Sequence, residues 1–136
     1  MRLRKAIVKL LAQERVCRVA TAGRSGMPHV VPVCQVVAGG KVYFATGNDN
    51  QKVRNLKANP QMAVLVDLYS EDWRFIKGIM VRGRARFLPR GREFRKIRAL
   101  LYQKYLQYPD EDAVTESDST IVEMTPARVS AWGIGE

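Results

Sequence analysis

One stretch, Thr46-Gly47-Asn48-Asp49-Asn50-Gln51-Lys52, has the residue types and order to hold a phosphate. It runs from the end of a strand, through a small polar loop, into a helix start. The first N–H groups of a helix lack intrahelical partners and carry partial positive charge, which suits an anion. Thr46 and Asn50 add neutral donors, and Lys52 and Arg54 add full charges on or near the first turn. Cations there oppose the helix dipole, and an anionic ligand would relieve that opposition. The same residues read equally well as a plain capped helix whose basic side chains face water.

Other chemistry is sparse. His29 is the only histidine, so a His-rich metal site is excluded and no metal is expected. It reads as a strand residue beside a turn. No Gly-x-Ser-x-Gly elbow, Cys-x-x-Cys pair, Walker loop or Gly-x-Gly-x-x-Gly occurs. If the chain is an enzyme, a cofactor does the hard chemistry. No catalytic side chain stands out; Tyr43, Tyr69 and Lys77 are equally eligible. Cys17 and Cys34 fall on separate strands without metal-type spacing and read as reduced core residues. Arg82, Arg84 and Arg86 line one face of a strand. That ladder reads as a solvated face, with a dimer interface, pairing to acidic residues, or nucleic-acid phosphates as alternatives.

The elements that must position these residues follow from periodicity. Leu3 to Gln13 reads as an amphipathic helix, with Leu3, Ile7, Leu10 and Leu11 on one face. Strands are expected at Val16–Thr21, Val30–Val37 and Lys41–Thr46, the last two joined by an Ala38-Gly39-Gly40 hairpin. A helix over Gln51–Ala58 stops at Asn59-Pro60. Met62–Leu68 and Ile76–Leu88 read as strands, Glu93–Tyr108 as a helix and Pro109–Ser119 as an acidic loop. Thr120–Met124 and Arg128–Trp132 read as final strands split by Pro126. Six or seven strands with few helices between them predict one α+β, mainly β domain over residues 1–136. Its antiparallel sheet is expected to close into a barrel.

The 136 residues carry 23 Lys+Arg and 13 Asp+Glu, a net charge of +10. Residues 1–108 hold 22 basic and 6 acidic side chains (+16), and residues 109–136 hold one and seven (−6). A basic body could bind nucleic acid. It could equally be neutralised by its own acidic segment. The arginine face lacks the interleaved aromatics of a nucleic-acid-binding sheet, so a polynucleotide partner is disfavoured. No apolar run approaches the ~20 residues of a membrane span, and no signal-peptide core follows the basic N-terminus. A cytoplasmic protein without a membrane partner is expected.

Five motifs occur in order: Met27-Pro28-His29-Val30-Val31-Pro32-Val33, Gly40-Lys41-Val42-Tyr43-Phe44-Ala45-Thr46-Gly47, Gln51-Lys52-Val53-Arg54-Asn55-Leu56, Asn59-Pro60 and Val81-Arg82-Gly83-Arg84-Ala85. Together they resemble the pyridoxamine 5'-phosphate oxidase-like, flavin-binding split-barrel family over about Val16 to Phe87. The resemblance implies a six-stranded split β-barrel with a few short helices, a homodimer, and flavins at the subunit interface. It implies FMN as cofactor, with a deazaflavin coenzyme as the alternative, and hydride or electron transfer to an unidentified small molecule.

By position, Val33, Cys34 and Gln35 would lie along the isoalloxazine edge, mainly through backbone groups. Thr46 and Gly47 would approach the flavin tail, and Gln51 and Lys52 the terminal phosphate. Lys77, Gly78 and Met80 would reach the flavin from the partner subunit, and Trp132 would cover the cofactor or pack at the interface. Three positions depart from the family's oxidases proper, which carry basic residues where this chain has Val30, Gln35 and Gln51. No His follows position 29 to bind a pyridoxamine substrate. Pyridoxal phosphate synthesis is therefore not expected. A basic nucleic-acid-binding barrel and a flavin- or haem-binding module without turnover are the alternatives of another class.

Overall fold

A computed structural model describes residues 1–108 and 113–135. Helix α1 spans Lys5–Gln13 and buries Ile7, Leu10 and Leu11, the face expected from the sequence. Strands β1 (Cys17–Ala22), β2 (Pro28–Val33), β3 (Gln35–Ala38) and β4 (Lys41–Gly47) follow, then α2 (Gln51–Ala58) and β5 (Gln61–Leu68). A 3-10 turn at Trp73–Phe75 leads into β6 (Lys77–Leu88), and α3 (Arg92–Lys104) precedes β7 (Ser119–Trp132). Gly39 and Gly40 form the β3–β4 turn with φ of +58° and +75°, the left-handed geometry that a two-residue hairpin demands. No helix among the described residues is long and apolar enough to cross a membrane.

All seven strands share one antiparallel sheet in the order β2-β1-β5-β6-β7-β4-β3. Its two edge strands, β2 and β3, are consecutive in the chain and separated only by Cys34. The chain thus passes from one edge to the other in a single residue, and the sheet must curl on itself to allow it. The strand expected over Val30–Val37 is two strands bent at Cys34, one pairing with β1 and the other with β4. Counted as one bent strand, they give the six of the expected barrel.

Two further expectations are corrected. The C-terminal strands are one continuous strand, Ser119–Trp132, despite Pro126. Proline has no N–H for the ladder and is tolerated in a sheet at an edge or a bulge. Here the β6–β7 register shifts between Arg82, opposite Arg128, and Gly83, opposite Pro126. Helix α3 ends at Lys104 instead of Tyr108; Tyr105 takes extended backbone geometry and its N–H closes the last turn on Leu101. Of the expected acidic loop, residues 109–112 lie outside the described ones.

Two apolar clusters fill the fold. One joins α1 (Ile7, Leu11) to Val19, Phe44, Leu56, Val64, Ile79, Val81 and Val122. The other packs Phe94, Ile97 and Leu101 of α3 on Val36, Tyr43 and Ile121. The helices thereby hold the curled sheet from both faces, α1 on the face of Phe44 and Val122 and α3 on the face of Tyr43 and Ile121, and leave the N-terminal end of α2 at the surface.

Candidate functional site

Strand β4 ends at Gly47, and three loop residues bring the chain to α2. Asn50 stands at the N-cap, where an Asn side chain ordinarily accepts from the helix's first N–H groups. It makes no such bond. Its Nδ2 donates instead to Thr46 Oγ1 at 2.8 Å. The N–H groups of Val53 and Arg54 are taken by the Asn50 carbonyl at 3.0 and 3.1 Å. Those of Gln51 and Lys52 have no partner among the described residues. Thr46, accepting from Asn50, keeps its own hydroxyl proton to donate.

Lys52 is half-buried on this first turn, and its ammonium has no ion pair or hydrogen bond among the described residues. Burial pushes it below its ordinary value. Arg54, the second cation of the segment, is committed elsewhere. It donates to the Asp49 carbonyl at 2.7 Å and to Gln51 Oε1 at 2.9 Å, and lies 3.5 Å from the Asp49 carboxylate. Gln51 Nε2 in turn donates to Asn55 Oδ1 at 2.8 Å, and buried Asn55 donates to Thr21 Oγ1 of β1 at 3.0 Å. This chain of bonds fastens α2 to the sheet. It also holds the Gln51 side chain down, so Lys52 is the free charge of the segment.

Two residues here were not singled out from the sequence. Asn55 appears in a motif, but its role as the clamp between α2 and β1 shows only in the fold. Thr120 on β7 lies directly opposite Thr46 on β4, so the two side chains share a face. Its Oγ1 is buried and has no partner among the described residues. No local pattern marks it, because the pairing spans more than seventy residues.

The other expected site residues fall into two groups. At the β2–β3 bend, Val33 and Cys34 are half-buried, and both cysteines are free, Cys17 buried opposite Val33. Burial pushes the Cys17 thiol up to about 12, so it stays protonated. Gln35 turns inward. Its Nε2 donates to the carbonyls of Leu11 and Glu14 at 3.0 and 2.9 Å. Its backbone carbonyl accepts from Lys104 Nζ at 2.8 Å and Tyr105 Oη at 2.6 Å, while the buried side-chain Oε1 has no partner among the described residues. Those bonds fill both acceptor sites of the carbonyl. The second group is Lys77, Gly78 and Met80 at the start of β6, with Trp132 of β7 opposite Gly78. The indole lies over Gly78 so closely that a Cβ there would sit 2.3 Å from Trp132 Cζ2. No hydrogen bond or ion pair links either group to the α2 end among the described residues.

The arginine ladder divides. Arg86 reaches Glu123 of β7 at 3.0 and 3.1 Å and Glu93 of α3 at 2.7 Å. Glu123 is only 3% exposed, and it also accepts from Tyr43 Oη at 2.9 Å with Lys41 at 3.4 Å. The Arg86 guanidinium holds the Glu123 carboxyl below its usual range, and burial beside Glu123 pushes the Tyr43 phenol up to about 12. Arg82 and Arg84 have no such partners among the described residues.

The family model for pyridoxamine 5'-phosphate oxidase matches residues 3–133. The chain belongs to the pyridoxamine 5'-phosphate oxidase family. Among curated proteins none matches it. Solved structures share the family's fold at low identity. A conserved hypothetical protein from Mycobacterium tuberculosis superposes with a TM-score of 0.82 at 20% identity, over 96% of this chain and 84% of that one. The haem storage protein HutZ from Vibrio cholerae gives 0.77 at 16%, over 99% and 96%. A FAD-binding protein from Mesorhizobium loti gives 0.75 at 24%, over 95% and 94%. At these identities the likeness is one of fold, and the split-barrel architecture expected from the sequence stands.

Proposed function

We propose that this member of the family binds FMN, as a homodimer, and passes hydride or electrons to a small molecule. One observation carries the reading: the free end of α2. Two backbone N–H groups, the Thr46 hydroxyl and an unpaired half-buried ammonium sit together because Asn50 turns away from capping the helix. A lone cation on a helix N-terminus is unfavourable, and a phosphate there satisfies the N–H groups and the charge at once. Gly47 and Asn50 shape the loop, and the orphaned Thr120 hydroxyl opposite Thr46 is a further donor on the same face.

When bound, the flavin supplies the redox chemistry. Val33 and Cys34 at the bend would border its ring. Lys77, Gly78 and Met80 would come from the second subunit, with Trp132 beside them. Gln35 would act by holding the bend on α1, since its amide nitrogen and its backbone carbonyl are already bonded within the chain, while its buried Oε1 has no partner among the described residues. The neutral, internally bonded Gln35 and Gln51 make the anion grip lean, which places its charge on Lys52. That composition does not favour pyridoxal phosphate synthesis.

The test is FMN titration followed by absorbance and thermal shift, for the native chain and Lys52→Ala. A charge-assisted phosphate contact is worth ~1.5–3 kcal/mol, so affinity should fall roughly ten- to a hundredfold. Equal affinity would refute the phosphate assignment. A titration in which only a deazaflavin or haemin binds would replace FMN as the cofactor.

A further inference from the structure

We propose that Lys104 and Tyr105 are positioning residues for the flavin ring: from the end of α3 they pin the Gln35 backbone carbonyl, and so set the β2–β3 bend that would border the ring. The assignment rests on FMN binding as proposed above, and extends it to two residues far from the phosphate end. The bend has little other support. Cys34 belongs to neither ladder, since β2 pairs with β1 up to Val33 and β3 pairs with β4 from Gln35. Both are edge strands, so no further strand flanks them.

The two donors on the Gln35 carbonyl also bridge to the chain leaving α1. Lys104 Nζ donates to the Glu14 carbonyl at 2.7 Å, and Tyr105 Oη to the Arg15 carbonyl at 2.9 Å. Arg15 answers from the other side: its guanidinium lies 4.8 Å from the Tyr105 ring centroid and donates to the Lys104 carbonyl. The Gln35 side chain meanwhile donates to α1. Gln35 is thus gripped at its amide by α1 and at its carbonyl by α3, and Cys34 and Val33 are carried with it. The lysine is the costly member. A lysine at a helix end ordinarily lays its stem on the surface and keeps its ammonium in water. Lys104 is half-buried without an ion pair among the described residues. Burial, with the Arg15 charge beside it, pushes the ammonium down to about 8. Tyr105 alone would satisfy the Gln35 carbonyl. The second donor adds no satisfaction that water could not give; it fixes the direction of the peptide at the bend.

Lys104→Met and Tyr105→Phe keep the bulk and remove one donor each. With FMN bound, both should shift the visible absorption band and the midpoint potential of the flavin. Their FMN affinity should stay within about twofold of the native value, because the phosphate grip at Lys52 is remote. Lys52→Ala should do the reverse, with weaker affinity and a native band and potential. In the FMN-free chain, amide exchange over residues 33–38 should quicken roughly tenfold in Lys104→Met, as a charge-assisted bond is lost from a local opening, while β5 and β6 keep their native rates. A native chain that binds no FMN overturns the FMN reading and this proposal with it. If FMN binds, the proposal alone is overturned by variants with the native band and potential. It is equally overturned if exchange over residues 33–38 is unchanged, or if it rises alike across the whole sheet, which would make the two residues general supports of the fold.

Discussion

Replacing Glu123 with Gln separates the charge of a buried carboxylate from its shape. The native group accepts from Tyr43 at 2.9 Å and from Arg86 at 3.0 and 3.1 Å, and 3% of it is exposed. An amide keeps one acceptor oxygen and turns its NH2 toward a donor. One charge-assisted bond is lost and the other keeps only the charge of its arginine donor, each change being worth about 1 kcal/mol or somewhat more. The expected loss is about 2–3 kcal/mol at pH 7. Arg86 softens it, because that side chain is half-exposed and keeps Glu93. The Glu123 pKa is depressed in the folded state below its ordinary 4.5. Its contribution is therefore complete above about 4.5 and lost as pH falls through the depressed value. Urea denaturation of both proteins at stepped pH should show a gap that is constant from pH 7 to about 5 and closes in more acid solution. A gap that stays open at acid pH, or none at neutral pH, would show that the charge of Glu123 does not hold β4, β6 and β7 together.

The glycines of β6 should divide by what meets the added methyl. Gly83→Ala drives a Cβ against the Thr125 backbone carbonyl, which cannot yield, and should cost ~3 kcal/mol or abolish folding, read by denaturation. Gly78→Ala meets only the half-exposed Trp132 indole. It should fold, with tryptophan emission shifted to the red as the ring is displaced. Asn55→Ala removes the bonds to Thr21 and from Gln51 and should cost ~1–3 kcal/mol. FMN affinity should fall with it, although Asn55 carries no charge and lies behind the proposed phosphate site.

What was legible in the sequence was local. The extent of α2 is read correctly because the polar loop before it and the Asn59-Pro60 stop are written in neighbouring residues. The hairpin at Gly39-Gly40 is legible for the same reason. The bend at Cys34 was not, since nothing in the β-branched run Val30–Val37 says that its halves pair with strands on opposite edges of the sheet. Pro126 signals a break, and only the partner strand's Gly83 turns that break into a bulge. Arg86 and Glu123 look like one solvated cation and one oddity in the apolar run Ile121–Met124 until β6 and β7 are paired. The acidic segment does offset the basic body in part, through Glu123 on Arg86 and Glu116 on Arg95 at 3.7 Å. The Asn50 side chain reads as a cap and is instead a brace on Thr46, a choice that depends on where β4 delivers the threonine.

The place of β7 in the sheet has a consequence for how the chain folds. β7 lies between β6 and β4, so the β3–β4 hairpin meets the other strands by hydrogen bonding only through it. Without β7 the strands would form two ladders, β2-β1-β5-β6 and β4-β3, joined at Cys34 and again through α2. Each exposes a strand edge that β7 will cover, β6 on one and β4 on the other. Unpaired edges invite association with other chains. A chain lacking Ser119–Trp132 would therefore expose two strand edges open to association, and the pairing of β7 with β4 joins residues far apart in sequence, the kind of contact that forms slowly.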